Sequence, residues 1–276
     1  MSADLNLSMG NRMIGLTRRA FLAAASLLAE ASWAKPGRLA LQHKAGLAGL
    51  SPAGSGLNPD WTYAWNLTYV PGPRPQLPMC WGWKGDRTAA DLEKLRALEP
   101  PLLFGFNEPD HPDQSNLDVE TALEAWPNLQ GIATELVSPS CADPAGSWMQ
   151  NFMAMAEQRG FQIDAVGVHA YEPPDPDAFI KILERVHAMY GRPVWVTEFA
   201  VADWTATTAS DNRYTADEVE TFMNEVCDHM DRTPWVRGYA WYPWGRRKAT
   251  IALYPSIFFD LNGNLTQLGR AYASRA

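Results

Sequence analysis

Residues 164–200 read DAVGVHAYEPPDPDAFIKILERVHAMYGRPVWVTEFA. Two short runs rich in valine and aromatics flank a longer helical stretch. Asp175 stands where a helix N-cap is wanted, and Gly191 where a helix stops. Strand, helix, strand in so short a span is a parallel βαβ unit. The alternation extends in both directions. Strands are expected at 44–50, 61–66, 77–83, 101–107, 135–140, 164–171, 193–200 and 237–244, the first being the weakest. Helices are expected at 88–99, 147–160, 175–191, 215–230 and 264–272; Thr215 and Glu218 have capping-box spacing. Eight strands in a chain of this length predict a single-domain α/β fold, the (β/α)8 TIM barrel. An open doubly wound sheet would call for a glycine-rich turn after an early strand, and none is present.

The chain has 276 residues, 46% hydrophobic and 20% charged, as a globular protein does. Residues 1–34 read as an export signal of the twin-arginine type: Arg18 and Arg19 precede an apolar run, and Ser32-Trp33-Ala34 offers a cleavage site. The alternative is an amphipathic N-terminal helix. Residues 35–43 are expected to form an extended lead-in and 44–276 the folded domain; the signal would place the protein in a bacterial periplasm or outside the cell. The net charge is −8; losing residues 1–34 removes three arginines and two acids and makes it one unit more negative. That charge argues against nucleic acid as a partner. Cys80, Cys141 and Cys227 are far apart and odd in number, and read as small buried residues. No metal-ligand spacing occurs.

Two carboxylates end expected strands. Glu108 closes the fourth, in FGFNEPD (104–110), and Glu198 the seventh, in VWVTEFA (194–200). Pro109 is expected to hold Glu108 extended. Asn107 and Glu108 are adjacent, so both reach one site only if the strand bends. Val194, Val196 and Glu198 share a face by the period of two, expected to point into the barrel, with Trp195 against a helix. Barrel sites lie at the C-terminal strand ends, so both carboxylates would overlook one cleft. Two carboxyl groups facing one cleft suit glycoside hydrolysis. Either alone could be an acid surfacing at a strand end.

GFNEPD, VGVHAYEP, VWVTEFA, RGYAWYPW, FDLNGNLTQLGRAY and PMCWGW together resemble glycoside hydrolase family 128, whose catalytic core is shared with fungal alkali-sensitive-linkage cell-wall proteins. The likeness covers roughly residues 44–276. It implies a retaining barrel with glutamates on strands 4 and 7, acting endo on β-1,3-glucan, with Glu108 as acid/base and Glu198 as nucleophile.

Sugar faces stack on aromatic rings, and hydroxyls need directional partners. Trp81, Trp83, Trp204 and Trp241 are the expected stacking set. Asn107 suits the 2-hydroxyl of the reacting sugar. Tyr171 would orient Glu198, and His169, on the same face, would set the charge of Glu108. The polar stretch 201–215 is a loop at this rim, with Asp203 beside Trp204. Glu172 and Asp110 read as solvated. No cofactor and no metal are expected; a metal-dependent hydrolase lacks a ligand set among five histidines. The expected partner is a β-glucan, with no nucleic acid, no membrane span and a monomeric chain. The competing reading is a non-catalytic glycan-binding protein on the same scaffold.

Overall fold

The structure is a computed structural model and describes residues 39–50, 54–242 and 251–275. The expected export segment 1–34 and Trp244, at the end of the eighth expected strand, lie outside the described residues. Seven strands are regular: β1 (Ala45–Ala48), β2 (Trp61–Tyr63), β3 (Leu102–Leu103), β4 (Glu135–Cys141), β5 (Ala165–Glu172), β6 (Val194–Val201) and β7 (Val236–Trp241). All pair in parallel in the order β2-β1-β7-β6-β5-β4-β3, which is the strand arrangement of a TIM-type barrel.

The third expected strand, 77–83, is not regular. Its backbone instead makes single parallel bridges, Thr62 with Gln76 and Met79 with Phe104. Pro75 and Pro78 have no N–H to donate, which breaks the ladder on this segment. Five backbone bonds tie it to β2 on one side and to the chain at Phe104 and Asn107 on the other: Thr62 N to Pro75 O, Leu77 N to Thr62 O, Phe104 N to Pro78 O, Cys80 N to Phe104 O and Asn107 N to Trp81 O.

Six α-helices are described: α1 (Asp86–Arg96), α2 (Val119–Ala125), α3 (Ser147–Gln158), α4 (Pro176–Tyr190), α5 (Ala216–Arg232) and α6 (Gln267–Ala273). The caps follow the sequence. Asp175 accepts from Ala178 N, Gly191 takes φ 60°, and Thr215 with Glu218 completes a capping box. Each N-cap contributes about 1 kcal/mol. The end of α5 is held by Lys44, whose Nζ donates to the carbonyls of Met230, Asp231 and Thr233. A cation there also meets the negative end of the helix dipole. Helix α2 was not expected; it is short, and Asp118 caps it through Thr121 N.

Two cores flank the sheet. One contains no helical residue and is the barrel interior: Trp61, Tyr63, Phe104 and Trp195 meet there, Trp61 edge-on to Trp195 at 5.2 Å. The other joins sheet to helices and holds Val194, Val196, Phe199, Phe179 and Val226. This reverses the expected facing of β6. The bulkier Trp195 fills the interior, its Nε1 donating to Glu135, and the valines face the helices. The interior accepts that indole because Gly238 of β7 has no side chain; a Cβ there would stand 2.3 Å from the ring.

Candidate active site

Glu198 reaches the cleft through a bulge. Val168 pairs with Val196, but His169 pairs with Glu198, so Thr197 is the extra residue. Thr197 spends its hydroxyl below the cleft, on Ser140 Oγ and Val168 O. The slip turns Glu198 from the helix-facing side, where Val196 sits, to the cleft. Glu108 arrives by a different distortion. Its φ is 39°, in the left-handed region that non-glycine residues rarely occupy, so the expected extended geometry before Pro109 is not adopted. The turn brings both Asn107 and Glu108 to the cleft wall.

The cleft has a volume of about 790 Å³ and is lined by Glu108, Glu198, Asn107, His169, Tyr171, Trp81 and Trp204 among the expected residues. Glu108, His169 and Glu198 each present one atom within 4.8 Å of the others. His169 Nδ1 is 2.7 Å from Glu108 Oε1, and Nε2 is 3.6 Å from Glu198 Oε1. Three atoms this close invite a metal ion. Two ligands of a tetrahedral ion with bonds of 2.0–2.1 Å stand roughly 3.3 Å apart, however. The 2.7 Å contact is instead a hydrogen bond.

Glu198 sits among neutral donors. Tyr63 Oη and Trp65 Nε1 donate to its Oε1 at 2.9 and 2.7 Å, and Tyr171 Oη donates to its Oε2. Burial first, and the Glu198 charge second, push both phenols well above the ordinary tyrosine value, so they stay protonated. Tyr242, edge-on to Trp65 and Tyr171, is pushed up to about 12 by the same causes. Burial works to raise the Glu108 pKa, but the hydrogen bond and charge of His169 outweigh it and hold it below the usual range. Burial works to lower His169, and the charge of Glu198 with the bond to Glu108 outweighs that and raises it. Asn107 Nδ2 donates to Gln114, while its Oδ1 and His169 Nε2 have no hydrogen-bond partner among the described residues.

Trp204 is 65% exposed at the rim and donates to Tyr171 O. Its loop is fastened by Asp203, buried, which accepts from Arg213 and Thr205; these bonds hold its carboxyl well below the usual range. Glu172 lines the cleft, raised by burial; Asp110 is not merely solvated but accepts from the amides of Ala142 and Asp143.

Two expected platforms are elsewhere. Trp241 is fully buried on the helix side, stacked on Phe258 and donating to Ser256 O. By the period of two, Gly238 and Ala240 face inward, and Tyr242 takes the cleft position. Trp83 does not line this cleft and packs on the sheet–helix core. Tyr63 and Trp65 were missed as partners of the nucleophile candidate, although WTYAW puts three aromatics on one strand face at period two.

The family model "Glycosyl hydrolase catalytic core" matches residues 44–272. Alkali-sensitive linkage protein 1 of Schizosaccharomyces pombe is 25% identical over 181 residues, 62% of this chain and 32% of that protein. The chain thus spans about a third of that relative's length. A GH128 subgroup I endo-β-1,3-glucanase of Amycolatopsis mediterranei, solved with laminaripentaose, superimposes with a TM-score of 0.71 at 25% identity, covering 85% of this chain and 100% of that one. A GH128 subgroup VII oligosaccharide-binding protein of Cryptococcus neoformans gives 0.66 at 26%, covering 84% and 93%. The matched span takes in the whole strand series and both carboxylates, and the chain is a member of glycoside hydrolase family 128.

Proposed function

We propose that the protein is an exported endo-β-1,3-glucanase that retains anomeric configuration, with residues 44–276 as its catalytic domain on a closed (β/α)8 barrel and a single chain as the working unit. The observation that carries this is the spacing of the carboxylates. One oxygen of each lies within 4.8 Å of the other, close to the roughly 5–5.5 Å of retaining enzymes and short of the roughly 6.5–9.5 Å that leaves room for an inverting water. The relative crystallised with laminaripentaose supports the choice of glucan.

Glu108 gives a proton to the glycosidic oxygen as Glu198 attacks the anomeric carbon and forms an ester. Water, deprotonated by Glu108, then releases the sugar and regenerates both groups. The acid step needs a protonated Glu108, yet the hydrogen bond and charge of His169 favour its anion. Glu108 and His169 hold one proton between them across 2.7 Å. A sugar that displaces water makes the ion pair costlier than the neutral pair, so the proton crosses to Glu108 where the leaving oxygen waits. Tyr63, Trp65 and Tyr171 stabilise the Glu198 carboxylate before attack and as leaving group afterwards. Asn107 Oδ1 is free to take the 2-hydroxyl, and Trp81 and Trp204 offer ring faces to neighbouring sugars.

The test is hydrolysis of a panel of β-1,3, β-1,4 and mixed β-1,3/1,6 glucans, with the anomer followed by NMR. The expected result is cleavage of β-1,3 linkages with retention, lost by at least about 10³-fold in Glu108→Gln and in Glu198→Gln. Inverted product, or full turnover in either variant, would overturn the assignment. Likeness to an oligosaccharide-binding relative favours a second reading, a binding protein on this scaffold. It predicts laminarin binding with no release of reducing ends.

A further inference from the structure

We propose that Gln114 is a positioning residue for Asn107: it fixes which end of the Asn107 carboxamide faces the reacting sugar, and so gives the cleft its acceptor for the 2-hydroxyl. The inference rests on the glucanase reading above. Asn107 and Gln114 both line the cleft. Asn107 is 3% exposed, and Gln114 is half-buried. The two ends of a carboxamide have nearly the same size, so packing does not choose between them; hydrogen bonds do. Asn107 Nδ2 donates to Gln114 Oε1 at 3.1 Å. That bond commits the NH2 end to Gln114. Asn107 Oδ1 is the end left over, buried and without a hydrogen-bond partner among the described residues. A buried acceptor left unpaired is costly, and a sugar hydroxyl supplies the missing donor.

A short loop brings Gln114 back onto Asn107. His111 N donates to Glu108 O, Gln114 N to His111 O and Leu117 N to Pro109 O, and Ser115 N closes on Asn107 O at 3.3 Å. Asp113 N also donates to His111 Nδ1. Two neighbouring loop residues, Gln114 and Ser115, therefore grip Asn107, one by its side chain and one by its backbone. The sense of the amide matters to the chemistry. As the anomeric carbon becomes electron-poor, the adjacent 2-hydroxyl becomes a stronger donor and a weaker acceptor. Oδ1 facing the sugar thus binds the transition state more tightly than the ground state and acts on the chemical step. A carboxamide turned over would offer N–H to an oxygen that is losing basicity, and the same contact would favour the ground state. Gln114 acts through Asn107 by excluding that second arrangement: while Oε1 holds Nδ2, Oδ1 stays turned to the cleft.

The experiment gives each enzyme two substrates: 4-nitrophenyl β-laminaritrioside, and the analogue lacking the 2-hydroxyl on the sugar that carries the nitrophenol. The readout is the ratio of their kcat/KM values at one pH. General damage to the fold, or a shifted pKa at Glu108, lowers both rates alike and leaves the ratio unchanged. Asn107→Ala sets the ratio for a missing contact, which cancels the greater intrinsic lability of the 2-deoxy sugar. The wild-type ratio should exceed it about 100-fold. Gln114→Leu and Gln114→Ala remove the partner of Nδ2, and each should lose at least about tenfold of that advantage. Gln114→Glu, an acceptor only, should keep it to within about threefold. The wild-type ratio retained in Gln114→Leu or Gln114→Ala, whichever folds, overturns the inference, as does its loss in Gln114→Glu. A wild type that cleaves laminarin with the Asn107→Ala ratio overturns the inference and leaves the glucanase reading intact. A wild type that releases no reducing ends from laminarin overturns both.

Discussion

At the scale of single residues, His169 explains how a buried acid is kept ready. With the imidazole in place, Glu108 is held below the usual carboxylate range against a burial effect of opposite sign. In His169→Asn burial is opposed by the charge of His111 without the imidazole contact, so the Glu108 pKa rises. The wild-type pair, however, keeps its shared proton until pH passes the raised His169 value, whereas in the variant Glu108 must hold that proton by itself as a carboxyl. The basic limb of the kcat/KM profile should therefore move downward, measured on a laminarin oligosaccharide. The same contact has a signature in stability. Glu108, depressed in the fold, contributes stability that is full above its unfolded pKa of about 4.3 and lost as pH falls through the folded value. His169, raised in the fold, contributes stability that is full below its unfolded pKa of about 6.5 and lost as pH rises through the folded value. It is one interaction seen from two partners. The wild-type advantage in melting temperature over His169→Asn should be largest between about pH 4.3 and about 6.5, and should shrink on both sides.

At the scale of elements, the site depends on two breaks in regular geometry. The residue types at Glu108 and Glu198 were legible because a carboxylate ending an apolar strand is a rare juxtaposition. How they reach the cleft was not. Period-two reasoning assumes an uninterrupted strand, and the bulge at Thr197 and the positive φ at Glu108 each interrupt one. The same assumption misplaced Trp195 and Trp241, because alternation says which residues share a face but not which face is inside. The glycines carried that information: Gly238 leaves room in the interior where Trp195 sits. Gly238→Ala would force a methyl to within 2.3 Å of the indole, against backbone that the β6 and β1 ladders hold in place. Overpacking of this kind costs about 1–3 kcal/mol. Urea unfolding should show that loss in the midpoint with an unchanged slope; an unchanged midpoint would mean that Trp195 moves freely. The loop after β6 behaves differently. Asp203→Ala removes the acceptor that ties Arg213 and Thr205, so Trp204 loses its fixed place at the rim. KM for long glucans should rise several-fold with kcat within about twofold. A fall in kcat at constant KM would place Trp204 with the reacting groups instead.

At the scale of the whole molecule, the order of strands was legible from the alternation alone, since parallel strands buried on both faces read as continuous apolar runs joined by helices. The weak point was the segment expected to be the third strand. Its leucine, methionine and two tryptophans read as a strand, but Pro75 and Pro78 remove donors that a ladder needs. What is left is single bonds from this segment to β2 on one side and to the chain at Phe104 and Asn107 on the other. Those bonds decide between a closed ring and a sheet with two free edges, and the difference bears on the cleft, because Trp81 ends the segment and Asn107 N binds its carbonyl. Free edges open with small local free energies, whereas closed ladders open only with the whole domain. Native-state hydrogen exchange reads this directly. If the ring is closed, the Leu77, Cys80 and Asn107 amides should be protected to within about tenfold of the β5 and β6 amides and share their urea dependence. Exchange of these three at the rate of loop amides, with β5 and β6 still protected, would mean an open sheet whose cleft wall at Trp81 breathes independently of the catalytic pair.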